Sequence, residues 1–179
     1  RNVKNILVEH CVLWNAEPGN AVEIGYEVRC DEISDITFRD LDIVHCEYEG
    51  NQSGGVLTIH NADRAHIHDI VYEDIRVEEA QEKFVDIKVL DSKYSLDRKR
   101  GSVENIYFRN VEILNGNFPV SIIRGFEMHT EMSRPRNIYF DNVVVLGKKV
   151  ESPSDLHMVV ELSDDILFNG TAHAKRNPF

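Results

Sequence analysis

The chain has 179 residues, 42% of them hydrophobic, and a formal net charge of −11. That length fits one domain with a sizeable core, and the absence of a long apolar run excludes a transmembrane segment. The negative balance argues against nucleic acid as a partner, because such binders need a basic stripe.

Taken in order, the chain repeats one short pattern. It begins with Val3-Lys-Asn-Ile-Leu-Val-Glu-His-Cys-Val-Leu13 and returns as Ile33-Ser-Asp-Ile-Thr-Phe-Arg-Asp-Leu-Asp-Ile43 and Ile67-His-Asp-Ile-Val-Tyr-Glu-Asp-Ile-Arg-Val77. The clearest copy is Val103-Glu-Asn-Ile-Tyr-Phe-Arg-Asn-Val-Glu-Ile113, followed by Pro135-Arg-Asn-Ile-Tyr-Phe-Asp-Asn-Val-Val-Val145 and a degraded Asp165-Ile-Leu-Phe-Asn-Gly170. The isoleucine anchors stand at Ile6, Ile36, Ile70, Ile106, Ile138 and Ile166, a period of 28 to 36 residues. Such a period with variable spacers marks a solenoid whose coils bury a core by stacking on their neighbours.

Apolar residues alternate within each copy, with Ile106 and Phe108 inward and Tyr107 and Arg109 outward, so the units are strands. A further short strand follows each copy, at 21–25, 55–60, 84–89, 120–124 and 158–162. The expected fold is all-β, a right-handed parallel β-helix of about five to six coils with three strands per coil. Residues 1–170 form it and a polar tail covers 171–179. The period and the lack of Leu dominance set it apart from leucine-rich repeats.

Stacking predicts inward columns of Ile6, Ile36, Ile70, Ile106, Ile138 and of Val8, Phe38, Tyr72, Phe108, Phe140. Asn5, Asp35, Asp69, Asn105 and Asn137 precede the first column, and Asp40, Asp74, Asn110 and Asn142 lie between the strands. These short polar side chains suit left-handed bends. Cys11 falls on the column of Leu41 and Ile75, which reads as a small buried hydrophobe; Cys30 and Cys46 show no metal-ligand spacing with it. The opening coil lacks a capping helix, which leaves its cross-section open to a missing upstream segment or to self-association.

Alternation along the last strand of each coil sets Glu23, Thr58, His60, Asp86, Lys88 and Ser121 outward. That polar face, edged by Gly-rich loops such as 51–55, is the expected site. Glu23 and Asp86 lie two coils apart on one column, so their backbones are about 9.6 Å apart, near the spacing of an inverting carboxylate pair. His60, beside Lys88, is placed to contact sugar hydroxyls or tune a carboxylate. Lys88 and Arg124 are candidates for an anionic sugar, or pair with Asp86 or Glu127; Tyr94 is a candidate stacking ring. Lys93, Arg98, Lys99 and Arg100 cluster in the loop 91–102. His66 and His68 share one strand face but lack a third ligand, so no metal and no cofactor are expected. Trp14 is a stacking platform or a local cap, and the sequons at Asn51 and Asn169 are short enough to arise by chance.

The order of these features resembles glycoside hydrolase family 28, the polygalacturonases and their relatives. Gly19-Asn-Ala-Val-Glu-Ile-Gly25 is similar to that family's Gly-His-Gly strand, and Gly55-Val-Leu-Thr-Ile-His60 to its Arg-Ile-Lys strand. Lys88-Val-Leu-Asp-Ser-Lys-Tyr94 resembles the next coil. Asn20 then stands at the family's His, Thr58 at its Arg and His60 at its Lys, which implies a different sugar preference. The coils with the family's Asn-Thr-Asp and Gly-Asp-Asp motifs would precede Arg1. The resemblance implies part of a polysaccharide-acting hydrolase, extracellular or periplasmic, with Asn20, Thr58, His60, Lys88, Tyr94 and Arg124 as subsite residues. Glu23 and Asp86 are the one carboxylate pair available on this stretch. A non-catalytic carbohydrate-binding or structural β-helix and a polysaccharide lyase are the alternatives.

Overall fold

The computed structural model describes residues 1–16, 19–47, 54–81, 83–116 and 120–172. In chain order its strands are β1 (Val3–Asn15), β2 (Val22–Ile24), β3 (Glu32–Cys46), β4 (Gly55–Asn61) and β5 (His66–Ala80). Then follow β6 (Lys83–Val89), β7 (Ser102–Gly116), β8 (Ile122–Arg124), β9 (Phe126–Met128) and β10 (Glu131–Ser133). The last five are β11 (Arg136–Val145), β12 (Lys148–Lys149), β13 (Val159–Glu161), β14 (Asp164–Phe168) and β15 (Thr171–Ala172). One short 3-10 helix, Pro153–Leu156, interrupts them.

Two parallel sheets wind into a β-helix. The larger runs β1-β3-β5-β7-β11-β14 with β15 and β12 added antiparallel, and the smaller runs β13-β8-β6-β4-β2. The fold is therefore the parallel β-helix expected from the repeats, all-β and of about four turns. The turns are fewer than the five to six coils expected; the last copy contributes only the five-residue β14. The first two expected strands of each coil are continuous. Each long strand bends twice without losing its ladder.

Those bends are the polar columns. Asn5, Asp35, Asp69, Asn105, Asn137 and Asp165 all take the left-handed conformation with φ of 53° to 57°. His10, Asp40, Asp74, Asn110, Asn142 and Asn169 do the same at the second bend. Stacked amides tie successive turns: Asn105 Nδ2 donates to Asp69 Oδ1 at 3.1 Å and Asn137 Nδ2 to Asn105 Oδ1 at 3.0 Å. At the second bend Asn110 Nδ2 donates to Asp74 Oδ1 at 3.0 Å and Asn142 Nδ2 to Asn110 Oδ1 at 2.9 Å. Asn and Asp accept this backbone at low cost, and the ladder satisfies their polar ends. Asn169 joins it, accepting from the Asn142 amide at 3.1 Å. The sequon at Asn51 lies outside the described residues.

Inside, Ile6, Ile36, Ile70, Ile106, Ile138 and Ile166 pair in register, and so do Val8, Phe38, Tyr72, Phe108, Phe140 and Phe168. Cys11 stands in the column of Leu41 and Ile75, half-buried, its Sγ donating to the Glu9 carbonyl. Tyr72 carries the one hydroxyl in the aromatic column; it is fully buried without a hydrogen-bond partner, and burial pushes its ionisation upward. Tyr72→Phe is expected to stabilise the fold by about 1 kcal/mol, because it removes a desolvated, unpaired hydroxyl. A Tm rise of about 2–4 °C in calorimetry checks this; a fall would mean the hydroxyl is satisfied.

The two ends differ. At the last turn β15 folds back over β14. At the first, β1 is an edge strand with Ile6 40% exposed and Val3 38% exposed, although both sit on the inward face. Among the described residues no helix is long and apolar enough to cross a membrane.

Candidate functional site

The smaller sheet places the polar face. Its register aligns Glu23, Thr58, Asp86 and Ile122 in one column, and His60, Lys88, Arg124 and Glu161 in the next. Val22, Leu57 and Val85, with Ile24, Ile59, Ile87 and Ile123, fill the other face toward the core. The expected place of Ser121 is corrected: Ile122 follows Asp86, while Ser121 is buried and its Oγ accepts from the Val85 amide at 3.4 Å. In β8 the outward positions fall to Ile122 and Arg124.

Glu23, His60 and Asp86 converge on three successive levels. His60 Nδ1 lies 2.9 Å from Glu23 Oε1, and Nε2 makes an ion-pair contact at 3.3 Å with Asp86 Oδ2, without hydrogen-bond geometry. The Tyr26 ring covers the imidazole with centroids 4.7 Å apart. Gly25 permits this cover, since a Cβ there would meet the His60 carbonyl at 2.8 Å and Glu23 Oε1 at 3.0 Å. Asn20 Nδ2 donates to the second Glu23 oxygen at 2.7 Å. Lys88 Nζ donates to Asp86 Oδ2 at 2.8 Å, and Lys83 Nζ stands 3.4 Å from the same oxygen. Thr58 Oγ1 donates to the Val22 carbonyl at 3.1 Å.

Burial divides the expected site residues. Thr58, His60 and Asp86 point away from the core yet have no exposed surface, so they support the face from beneath. Direct sugar contact by Thr58 and His60, as expected for an open sheet, does not fit their burial. Glu23 keeps 28% of its side chain exposed and Lys88 16%. Arg124 is exposed and paired with Glu161 at 2.6 Å, not with Glu127. Tyr94 is half exposed, with the Lys93 ammonium 4.9 Å from its ring centre.

The charges explain the ionisation. Burial opposes a charged His60, but the Asp86 and Glu23 carboxylates outweigh it and raise its pKa above 6.5. Burial works against the charge on Glu23, and the His60 and Asn20 hydrogen bonds overcome it, so Glu23 stays below the usual carboxylate range. Asp86 is lowered in the same way, against burial, by His60 and Lys88. Both carboxylates are thus anions at neutral pH, and neither is poised as the general acid that glycosidic cleavage needs. Asp86 is also sealed from solvent by three cationic groups. The geometry does not make Glu23 and Asp86 a catalytic pair. What it makes is a fixed carboxylate at Glu23, with each oxygen already oriented by one donor and lone pairs left for a ligand.

Elsewhere the expected candidates settle into structural roles. Arg100 is buried, with its guanidinium on the Ala62, Leu90 and Asp97 carbonyls, so it leaves the basic cluster of its loop. Asp63 anchors that loop, accepting from the Leu96 and Asp97 amides at 2.9 Å. The His66 and His68 rings lie 4.2 Å apart, tilted by 34°, and each meets carboxylates, His66 with Glu104 and His68 with Glu32 and Asp69. Among the described residues no group of three His, Cys, Asp or Glu is placed to hold a metal ion. Trp14 is 69% exposed and stacks on His45.

Lys83 and Tyr26 complete this cluster, and sequence reasoning missed both. Lys83 shares the parity of Val85 and Ile87, the core face, so alternation gives no signal for its reach to Asp86. Comparison of the chain with family models, with curated proteins and with solved structures yields no match.

Proposed function

We propose that this β-helix binds an extended glycan along the outer face of its smaller sheet, as part of a polysaccharide-acting protein resembling family 28 hydrolases. The observation that carries the reading is the Glu23 carboxylate, held by His60 and Asn20 and still partly exposed. A fixed anionic acceptor suits a sugar hydroxyl, because a hydrogen bond to a charged group contributes more than a neutral one. Lys88 and Arg124 stand on the same face and supply donors, and Tyr94 in the loop after β6 offers a half-exposed ring. In this reading the chain contributes binding subsites, and cleavage is not assigned to Glu23 and Asp86.

The test is calorimetric titration with a panel of neutral and acidic oligosaccharides. At least one class is expected to bind, and Glu23→Gln is expected to weaken it by about tenfold, the loss of one charge-assisted hydrogen bond. If no class binds, or if Glu23→Gln binds equally well, the reading fails and a scaffolding role replaces it.

A further inference from the structure

The Glu23, His60 and Asp86 contact joins three turns of the solenoid through one imidazole. We propose that His60 is a proton-operated positioning residue. With both ring nitrogens protonated it ties Glu23 on β2 to Asp86 on β6 and holds Glu23 toward the glycan face; loss of one ring proton loosens that hold. This regulation of the site rests on the glycan-binding reading, but the linkage itself does not.

The groups facing the ring define the effect. From β2 comes Glu23, from the following loop Tyr26, and from β6 Asp86 with Lys88 and Lys83. On the next level Arg124 stands beside Lys88 in register and is neutralised by Glu161. When His60 becomes neutral, Asp86 retains Lys88 at 2.8 Å. Glu23 has no such reserve. Its other donor among the described residues is the uncharged Asn20 amide. If the remaining proton sits on Nε2, Glu23 faces a lone pair at the 2.9 Å contact. If it sits on Nδ1, Glu23 keeps a neutral hydrogen bond, roughly half as strong as a charge-assisted one. Either tautomer weakens the tie. β2 is the place where this matters, because it is three residues long and, among the described residues, is joined to the sheet on one side alone, by β4.

The sign follows from linkage. A histidine whose folded pKa is raised contributes stability that is complete below 6.5 and is lost as pH rises through the folded value. Glu23 and Asp86, both lowered, contribute stability that is lost at the acid end, below their ordinary 4.5 and 3.8. Between these limits the tie is complete.

The experiment is a side-chain NMR titration of the full chain, following the His60 ring nitrogens and the Glu23 carboxyl carbon. The expected result is a doubly protonated His60 at pH 6 that titrates above 6.5, with the Glu23 signal moving at the same midpoint. A His60 neutral at pH 6, or a Glu23 signal unmoved across the His60 midpoint, overturns the proposal. In His60→Gln the Glu23 transition at that midpoint is expected to vanish; the wild-type titration decides the matter should this variant fail to fold. Affinity for a bound oligosaccharide is expected to drop by about fivefold across the midpoint, the difference between a charged and a neutral hydrogen-bond partner. If none of the oligosaccharides binds while the coupled titration is seen, the glycan reading falls and the linkage stands.

Discussion

Asp86→Ala is expected to cost about 3–5 kcal/mol of stability, the range for removing one partner of a buried charge network. Asp86 has no exposed surface and stands within 3.4 Å of Lys83, Lys88 and His60. Its removal takes a carboxylate from beside the buried Lys83, 1% exposed, and leaves the imidazolium with Glu23 on one side only. The fold then sheds a proton from one of them or admits water into the sheet, and either route costs free energy. Urea unfolding measures the loss. Adding Lys88→Met to Asp86→Ala should recover part of it, because one uncompensated charge goes too. A loss under about 1 kcal/mol would mean that solvent already reaches the cluster.

This cluster marks where the sequence stops being informative. Alternation correctly set Glu23, Thr58, His60, Asp86 and Lys88 on the face away from the core, and β4 and β6 pair them in the expected register. Alternation states a direction, not what lies over it. Tyr26, placed over His60 from a loop, and Lys83, reaching Asp86 from the core-side parity, turn an open polar face into a buried one. Neither contact has a periodic signal. The columns of the larger sheet are the opposite case. Ile6 to Ile166, Phe38 to Phe168 and the left-handed Asn and Asp rows were legible because each repeats at every turn, so stacking alone fixes their neighbours. Ser121 shows the boundary: in the three-residue β8 Ile122 and Arg124 take the outer positions and Ser121 is buried, a difference of one residue in parity.

Phe108→Ala is the second large effect, expected at about 3–5 kcal/mol. Its ring stacks on Tyr72 at 5.0 Å on one side and on Phe140 at 4.8 Å on the other, and Phe84 leans on it at 6.3 Å. It is fully buried at the middle of a five-ring column from Phe38 to Phe168. Truncation removes its apolar burial and leaves a cavity between two rings that their strands hold in register, so the site collapses little. Tyr107 provides the control one residue away. It stacks on Tyr139 with the same 4.8 Å spacing but on the outer face, half-buried. Tyr107→Ala should cost about 1 kcal/mol, since the ring gives up solvent-shared contact and leaves no cavity. Paired denaturation curves for the two variants separate the causes. A large gap assigns the stabilisation to burial inside the solenoid, whereas equal losses would assign it to ring stacking itself, and the inner column would then be no more a core than the outer one.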